Sequence, residues 1–221
     1  MSENSEKYLQ NAAPQKTDVF LGAVFSTAYL PPVSWFESIG NVKKILLEAN
    51  EHYIKQSYRN RCHIVGANGV ETLSIPVESN SGKKYAIRDV RLSNHGNWQQ
   101  AHWRALQSAY NSSPFFEYYA DDFAPFYEKK WSFLWDYNWE LLTLIFELLD
   151  MQPEIQFTEN YRLEYNDKAD FREIIHPKKE SVSAAKTYYQ VFAPKLGFKA
   201  DLSIVDLLFN MGNEAILTLK R

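Results

Sequence analysis

The sequence predicts a mixed α/β fold, with an N-terminal βαβ unit and a β-hairpin sheet packed with a helical C-terminal half. Three observations carry this expectation. Two short apolar runs, Val19–Phe25 and Lys43–Glu48, flank a Pro-rich loop and a short helical pattern, the order that a parallel βαβ crossover requires. Asn68-Gly69 lies between two alternating runs, a strong local hairpin signal. From Asn97 onward the apolar spacing changes from two residues to three and four, which is the helical period.

The elements follow in order. Residues 1–17 are polar and read as a disordered arm, so one domain is expected over 18–221. Val19–Phe25 is continuously apolar, as a strand covered on both faces must be. Tyr29-Leu30-Pro31-Pro32 breaks it, and Trp35, Phe36 and Ile39 then share one side of a helix that Gly40-Asn41 ends. Cys62–Gly66 and Val70–Val77 form the hairpin through a type I′ turn, with Leu73, Ile75 and Val77 inward and Pro76 marking an edge or strand end. Ile87–Leu92 reads as one further strand. Trp98, Ala101, His102, Ala105, Leu106 and Ala109 define an amphipathic helix to Tyr110. Ser113 is expected to cap the next helix with Pro114 at its first position. Two aromatic-rich helices follow, jointed near Asp121-Asp122 and Pro125, and the second reaches Met151 before Pro153. Residues 155–165 read as extended, Asp201 as the cap of a helix over Leu202–Phe209, and Gly212 as its C′ glycine.

Composition excludes several functions. The chain has 221 residues, 45% hydrophobic and 15% aromatic, with 8 Gly and 9 Pro, so a heavy ordered core is expected. Its formal charge of -3 provides no global attraction to nucleic acid or anionic membrane. The longest apolar run, 141–149, is too short to span a bilayer and is interrupted by Glu147. The start lacks a secretory pattern and Cys62 is the sole cysteine, so a cytoplasmic protein without an internal disulfide is expected. No zinc spacing, dinucleotide fingerprint, phosphate loop or serine-hydrolase elbow occurs, and no cofactor is expected.

The candidate chemistry starts in His52–His63, which carries Lys55, Arg59 and Arg61 without an acid in a chain that is acidic overall. If extended, it projects Tyr53, Lys55, Ser57, Arg59, Arg61 and His63 from one face; if helical, Lys55 and Arg59 align at i, i+4. Either way, cations converge as a phosphate or carboxylate site needs. The alternative is a solvated face, or cations paired with acids elsewhere. His52, Tyr53, Gln56, Tyr58 and Asn60 complete this binding set, with Arg104, Tyr110 and His176 beyond it. His102 suits proton transfer near neutrality but equally suits a hydrogen-bonded core position. Asp122 is a candidate acid beside Asp121, the other role for this pair being a helix cap. Cys62 is either a thiol activated by its cationic neighbours or a small buried hydrophobe.

Several longer runs resemble one known family. They are His52-Tyr53-Ile54-Lys55-Gln56-Ser57-Tyr58-Arg59-Asn60-Arg61-Cys62, Ala67-Asn68-Gly69, Ser74-Ile75-Pro76-Val77, Asn97-Trp98, His102 through Tyr110, Ser113 through Tyr119, Gln190-Val191-Phe192 and Leu202 through Asn210. Together they resemble the WbqC-like family over nearly the whole chain after the polar arm. Bacterial members tend to be encoded with surface-polysaccharide genes. The resemblance implies transfer of an acyl or aminoacyl group to a nucleotide-linked amino sugar, with other polysaccharide-assembly enzymes as partners. In that scheme Lys55, Arg59 and Arg61 grip the diphosphate, Tyr53 and Tyr58 pack on base or sugar, and His102 accepts the amine proton. Two rival readings are nucleotidylyl transfer in the βαβ unit and a non-catalytic scaffold of a glycan assembly. The first lacks its usual histidine, because none occurs before His52. The second rests on exposed aromatics as interface anchors.

Overall fold

The computed structural model describes residues 22–40, 42, 44–78, 84–182 and 186–219. The predicted arm 1–17 and the first residues of the predicted first strand lie outside them. Four parallel strands form the main sheet: β1 (Ala23–Ser26), β2 (Lys44–Glu48), β5 (Glu154–Phe157) and β6 (Ala169–Asp170), in the order β5-β2-β1-β6. β1 is central because Ala23, Val24 and Phe25 have no exposed surface on either face. Its register with β2 pairs Ala23 with Ile45, Phe25 with Leu47, and Ser26 with Glu48. Helix α1 (Val33–Ile39) makes the β1-to-β2 crossover and buries Trp35 and Phe36 against Phe25 and Phe146. The expected βαβ unit is therefore present.

The predicted hairpin is also present, as β3 (Arg61–Gly66) antiparallel to β4 (Gly69–Ser74). Its turn differs from the type I′ expectation. Gly66 pairs with Gly69, and the positive φ of 123° falls on Gly69 alone. Ala67 and Asn68 keep ordinary backbone angles, and the glycine absorbs the twist.

The helical half contains α2 (Trp98–Tyr110), α3 (Phe116–Glu128), α4 (Leu134–Leu148), the short α5 (Ala193–Leu196), α6 (Ile204–Met211) and α7 (Ala215–Leu219). Phe209 of α6 sits among the rings of Tyr110, Phe116, Tyr119 and Phe123 and links three helices through edge-on and tilted contacts. Gly212 follows α6 with φ 55°, as expected of a C′ glycine, and a Cβ there would lie 2.7 Å from the Phe115 ring.

Four sequence expectations are corrected. Ile87–Leu92 is not a strand: Ile87–Asp89 is a 3-10 turn, followed by isolated bridges from Arg91 to Phe133 and from Leu92 to Val77. The buried residues Ile87 and Val90 are spaced by three, the period of that turn. Ser113 does not cap α3; its hydroxyl donates back to the Tyr110 carbonyl, and the helix starts at Phe116. No joint occurs at Asp121-Asp122 and Pro125, because α3 runs through them and the break falls at residues 129–133. Pro125 and Asp121 both face solvent, so water can satisfy the carbonyl that the missing N–H leaves free. Asp201 does not cap α6, whose cap is Ser203. Its carboxylate instead accepts from Ser34 N at 2.8 Å and Ser34 Oγ at 3.0 Å, capping α1 from the far end of the chain.

That long-range cap gives a stability prediction. Asp201→Ala should lower unfolding free energy by about 1–2 kcal/mol in urea titrations, and Asp201→Asn should lose less because it keeps an acceptor and tolerates the observed φ of 53°.

Candidate functional site

The strand order sets the location. β2 and β6 lie on opposite sides of β1, so the chain reverses direction across the sheet there, and ligand sites of open parallel sheets form outside the carboxyl ends at such a reversal. A cleft of about 260 Å³, its open mouth included, lies at that place. Ser26, Thr27 and Ala28 enter it from the end of β1, Phe171 and Arg172 from the end of β6, and Tyr58 and Arg59 from the loop before β3.

Two buried guanidinium groups organise this edge. Arg59 is 2% exposed and donates from Nε to Glu51 Oε1 at 2.7 Å and from Nη2 to Glu51 Oε2 at 2.5 Å. The same Nη2 donates to Ser26 Oγ at 2.7 Å, and Ser26 Oγ donates to Glu51 Oε2 at 3.1 Å. Arg172 donates to both oxygens of Asp170, to Glu48 Oε2 at 3.1 Å, and to the carbonyls of Arg162 and Leu163. The rings of Tyr161 and Tyr165 lie 5.2 and 5.1 Å from its guanidinium carbon. Glu48, with no exposed surface, also accepts from Thr158 Oγ1 at 2.6 Å and from Asn50 N at 2.8 Å. Two guanidiniums thus meet the carboxylates of Glu48, Glu51 and Asp170, so the cluster is acidic rather than basic. Burial raises the Glu51 pKa, and its hydrogen bonds to Arg59 and Ser26 offset only part of that rise.

Two donors at the cleft remain unengaged. Arg59 Nη1 and Thr27 Oγ1 make no hydrogen bond to any described residue, although both side chains are almost wholly buried and line the cleft. They are the groups that a ligand oxygen can engage.

The predicted site residues separate in space. Tyr58 and Arg59 line the cleft. His176 follows the lining residue Ile175 and lies within electrostatic reach of Arg59 and Glu173. Burial lowers its pKa, and its Nδ1 accepts from Lys178 N at 3.2 Å. Tyr53 is half-buried against Tyr85, and burial raises its hydroxyl to about 12. Arg61 is half-buried at the start of β3, and its Nε finds no partner among the described residues. Asn60 is buried and donates to the Ile75 carbonyl at 2.8 Å, tying the loop to the hairpin. His52 is exposed at an isolated bridge to Ala86, and Lys55 and Gln56 are exposed on a turn, so the segment is neither strand nor helix and Lys55 does not join the buried Arg59. Asp122 and Arg104 are exposed on α3 and α2. Tyr110 is buried and donates to Asp206 at 3.0 Å.

His102 does not reach the cleft. It is 6% exposed, packed against Trp98 and Tyr29, with Nδ1 3.0 Å from Tyr29 Oη. Its ring also bonds the Ser74 carbonyl. That bond places the proton on Nε2, so Nδ1 accepts from the tyrosine. Burial lowers its pKa to about 4. Cys62 is fully buried, and burial pushes its thiol well up, opposite to the activation expected from its charged neighbours.

Sequence reasoning missed Ser26, Thr27, Glu48, Glu51 and Arg172. The one signal the sequence holds for Ser26-Thr27 is a polar pair directly after an apolar run. Glu51 stands one residue before the stretch that looked free of acids.

These features define a mixed α/β protein with a small ligand cleft at the carboxyl edge of a parallel sheet. The chain belongs to the WbqC-like protein family, whose match covers residues 27–191. It is also similar to "Uncharacterized protein Rv1507c" of Mycobacterium tuberculosis, at 27% identity over 222 aligned residues, covering 87% of this chain and 94% of that protein. No solved structure matches the chain. Among the described residues, no helix is long and apolar enough to cross a membrane.

The enclosed imidazole gives a pH prediction. The unfolded chain protonates His102 near pH 6.5 and the folded chain only near pH 4, so acidification through this window favours unfolding. Between pH 7 and pH 4 the wild type should lose about 3 kcal/mol more stability than His102→Gln. Parallel denaturant titrations of the two proteins measure the difference.

Proposed function

We propose that the chain is a cytoplasmic transferase that moves an acyl or aminoacyl group onto a nucleotide-linked amino sugar in bacterial surface-polysaccharide biosynthesis. Family membership supports the setting. The observation that carries the reading is the cleft at the reversal of the sheet, where Arg59 Nη1 and Thr27 Oγ1 are left without protein partners among the described residues. Two donors without protein partners, on residues that line one small hollow, suit the carbonyl oxygen of a reacting acyl group.

Size decides which part of the substrate enters. Inside its mouth the cleft has room for little more than one water-sized group. It takes the reacting end alone. The nucleotide lies outside, over the half-buried ring of Tyr53, with its diphosphate toward the half-buried side chain of the neighbouring Arg61. This arrangement moves the diphosphate grip away from Arg59, whose charge Glu51 already balances.

Isothermal titration with a panel of UDP- and dTDP-linked amino sugars tests the reading. The wild type should bind at least one of them, and Arg61→Gln and Tyr58→Ala should each weaken binding by about tenfold or more without disturbing the Arg59–Glu51 pair. No binding across the panel, or unchanged binding in both variants, overturns it.

A further inference from the structure

Ser26 sits where the chemistry of the cleft converges. Ser26 ends β1 and lines the cleft, and its hydroxyl has two fixed partners. Because Oγ accepts from Arg59 Nη2 at 2.7 Å, its hydrogen is directed to Glu51 Oε2 at 3.1 Å. Glu51 is in turn held by the Nε and Nη2 of Arg59. A hydroxyl bonded to a buried carboxylate, which is itself oriented by a third group, is the general arrangement of an activated nucleophile. The two unengaged donors complete it, since Arg59 and the neighbouring Thr27, which carry them, line the same cleft.

We propose that Ser26 is a nucleophile that carries the acyl group as an ester, with Glu51 as its general base and with Arg59 Nη1 and Thr27 Oγ1 as donors to the oxyanion. The proposal rests on the transferase reading and deepens it by assigning a covalent intermediate and a donor class, an acyl thioester or another activated acyl ester. Ser26 Oγ bonds to the acyl carbon while its proton passes to Glu51 Oε2, and the carbonyl electron pair moves onto oxygen. As that pair returns, the bond to the leaving thiolate or alkoxide breaks, and Glu51 returns the proton to the departing group. The amine of the sugar then attacks the Ser26 ester and gives a proton to Glu51. Breaking the bond between the acyl carbon and Oγ forms the amide, and Ser26 recovers its proton from Glu51. Burial of Glu51 helps this exchange by making its carboxylate a stronger base than an exposed one.

Acetylation by p-nitrophenyl acetate tests the site without the natural donor. Purified full-length chain should release p-nitrophenolate and gain one acetyl group, mapped by peptide mass to Ser26. Ser26→Ala should lower the rate by at least about 100-fold, while Ser26→Cys should be acetylated at the same position. The wild-type rate should also fall as pH drops through the titration of Glu51. No adduct at Ser26, an undiminished rate in Ser26→Ala, or a rate insensitive to acid overturns the proposal. Nucleotide-sugar binding by the wild type, measured beside its acetylation, separates the two readings: sugar binding without Ser26 acetylation removes only the covalent step, and acetylation without sugar binding removes only the proposed acceptor.

Discussion

The carboxyl edge of the sheet is held by the buried pair of Arg59 and Glu51. Their contact is bidentate, at 2.7 and 2.5 Å, with both side chains at most 5% exposed. Two charges removed from water must match closely, because losing either partner leaves an uncompensated ion at a cost of about 3–5 kcal/mol. Such a pair tolerates few arrangements of the backbone that carries it. Here it fixes the loop between β2 and β3, since the Arg59 carbonyl accepts from Asn138 of α4 and the neighbouring Tyr58 carbonyl accepts from Tyr29 N. It also fixes Ser26 at the end of β1. Helix, loop and central strand are thereby positioned around one ion pair.

Arg172 does the corresponding work on the other side of the reversal. It joins β6, through Asp170, to the end of β2, through Glu48, and it holds the carbonyls of residues 162 and 163. Thr158 extends the network to the end of β5 through Glu48 and the Ala49 amide. All four parallel strands therefore end in side-chain contacts that cross between strands. A parallel sheet leaves polar backbone at this edge, and these charged contacts order the loops that cover it. The cost is electrostatic frustration, with more carboxylate than guanidinium in a dry region, and the raised pKa of Glu51 is one expression of it.

Much of the fold was legible because its signals are local. The double-sided burial of β1, the α1 crossover, the hairpin around Gly69 and the apolar face of α2 follow from patterns contained within short stretches of the chain. The misreadings involve contacts that sequence spacing does not encode. Asp201 looked like a cap for the helix beside it but caps one more than 160 residues earlier. Pro125 looked like a break, yet the helix passes through because the carbonyl it orphans faces water. At the site, the cationic stretch correctly drew attention to Tyr58 and Arg59, whereas convergence of Lys55 with Arg59 required a regular element that the turns at residues 51–60 do not form. Arg59 lines the cleft for a different reason from the one its charge suggested, since its partner is an acid just upstream.

Burial alone does not separate a reactive group from a structural one in this chain. His102, Cys62 and Asp206 are all buried and all have shifted pKa values. Each is nevertheless closed off. His102 uses both ring nitrogens, Cys62 is enclosed by apolar neighbours, and the Asp206 carboxylate accepts from Tyr110, Tyr188 and Gln190. Glu51 is equally buried and equally bonded, but one of its partners is the hydroxyl of Ser26, a residue that lines the cleft. A shifted pKa at Asp206 can only alter stability, because no ligand atom can approach it. The same kind of shift at Glu51 is transmitted through Ser26 Oγ to whatever occupies the cleft. Access through a single hydroxyl, more than the size of any pKa shift, distinguishes the chemistry-bearing edge of this protein from its polar core.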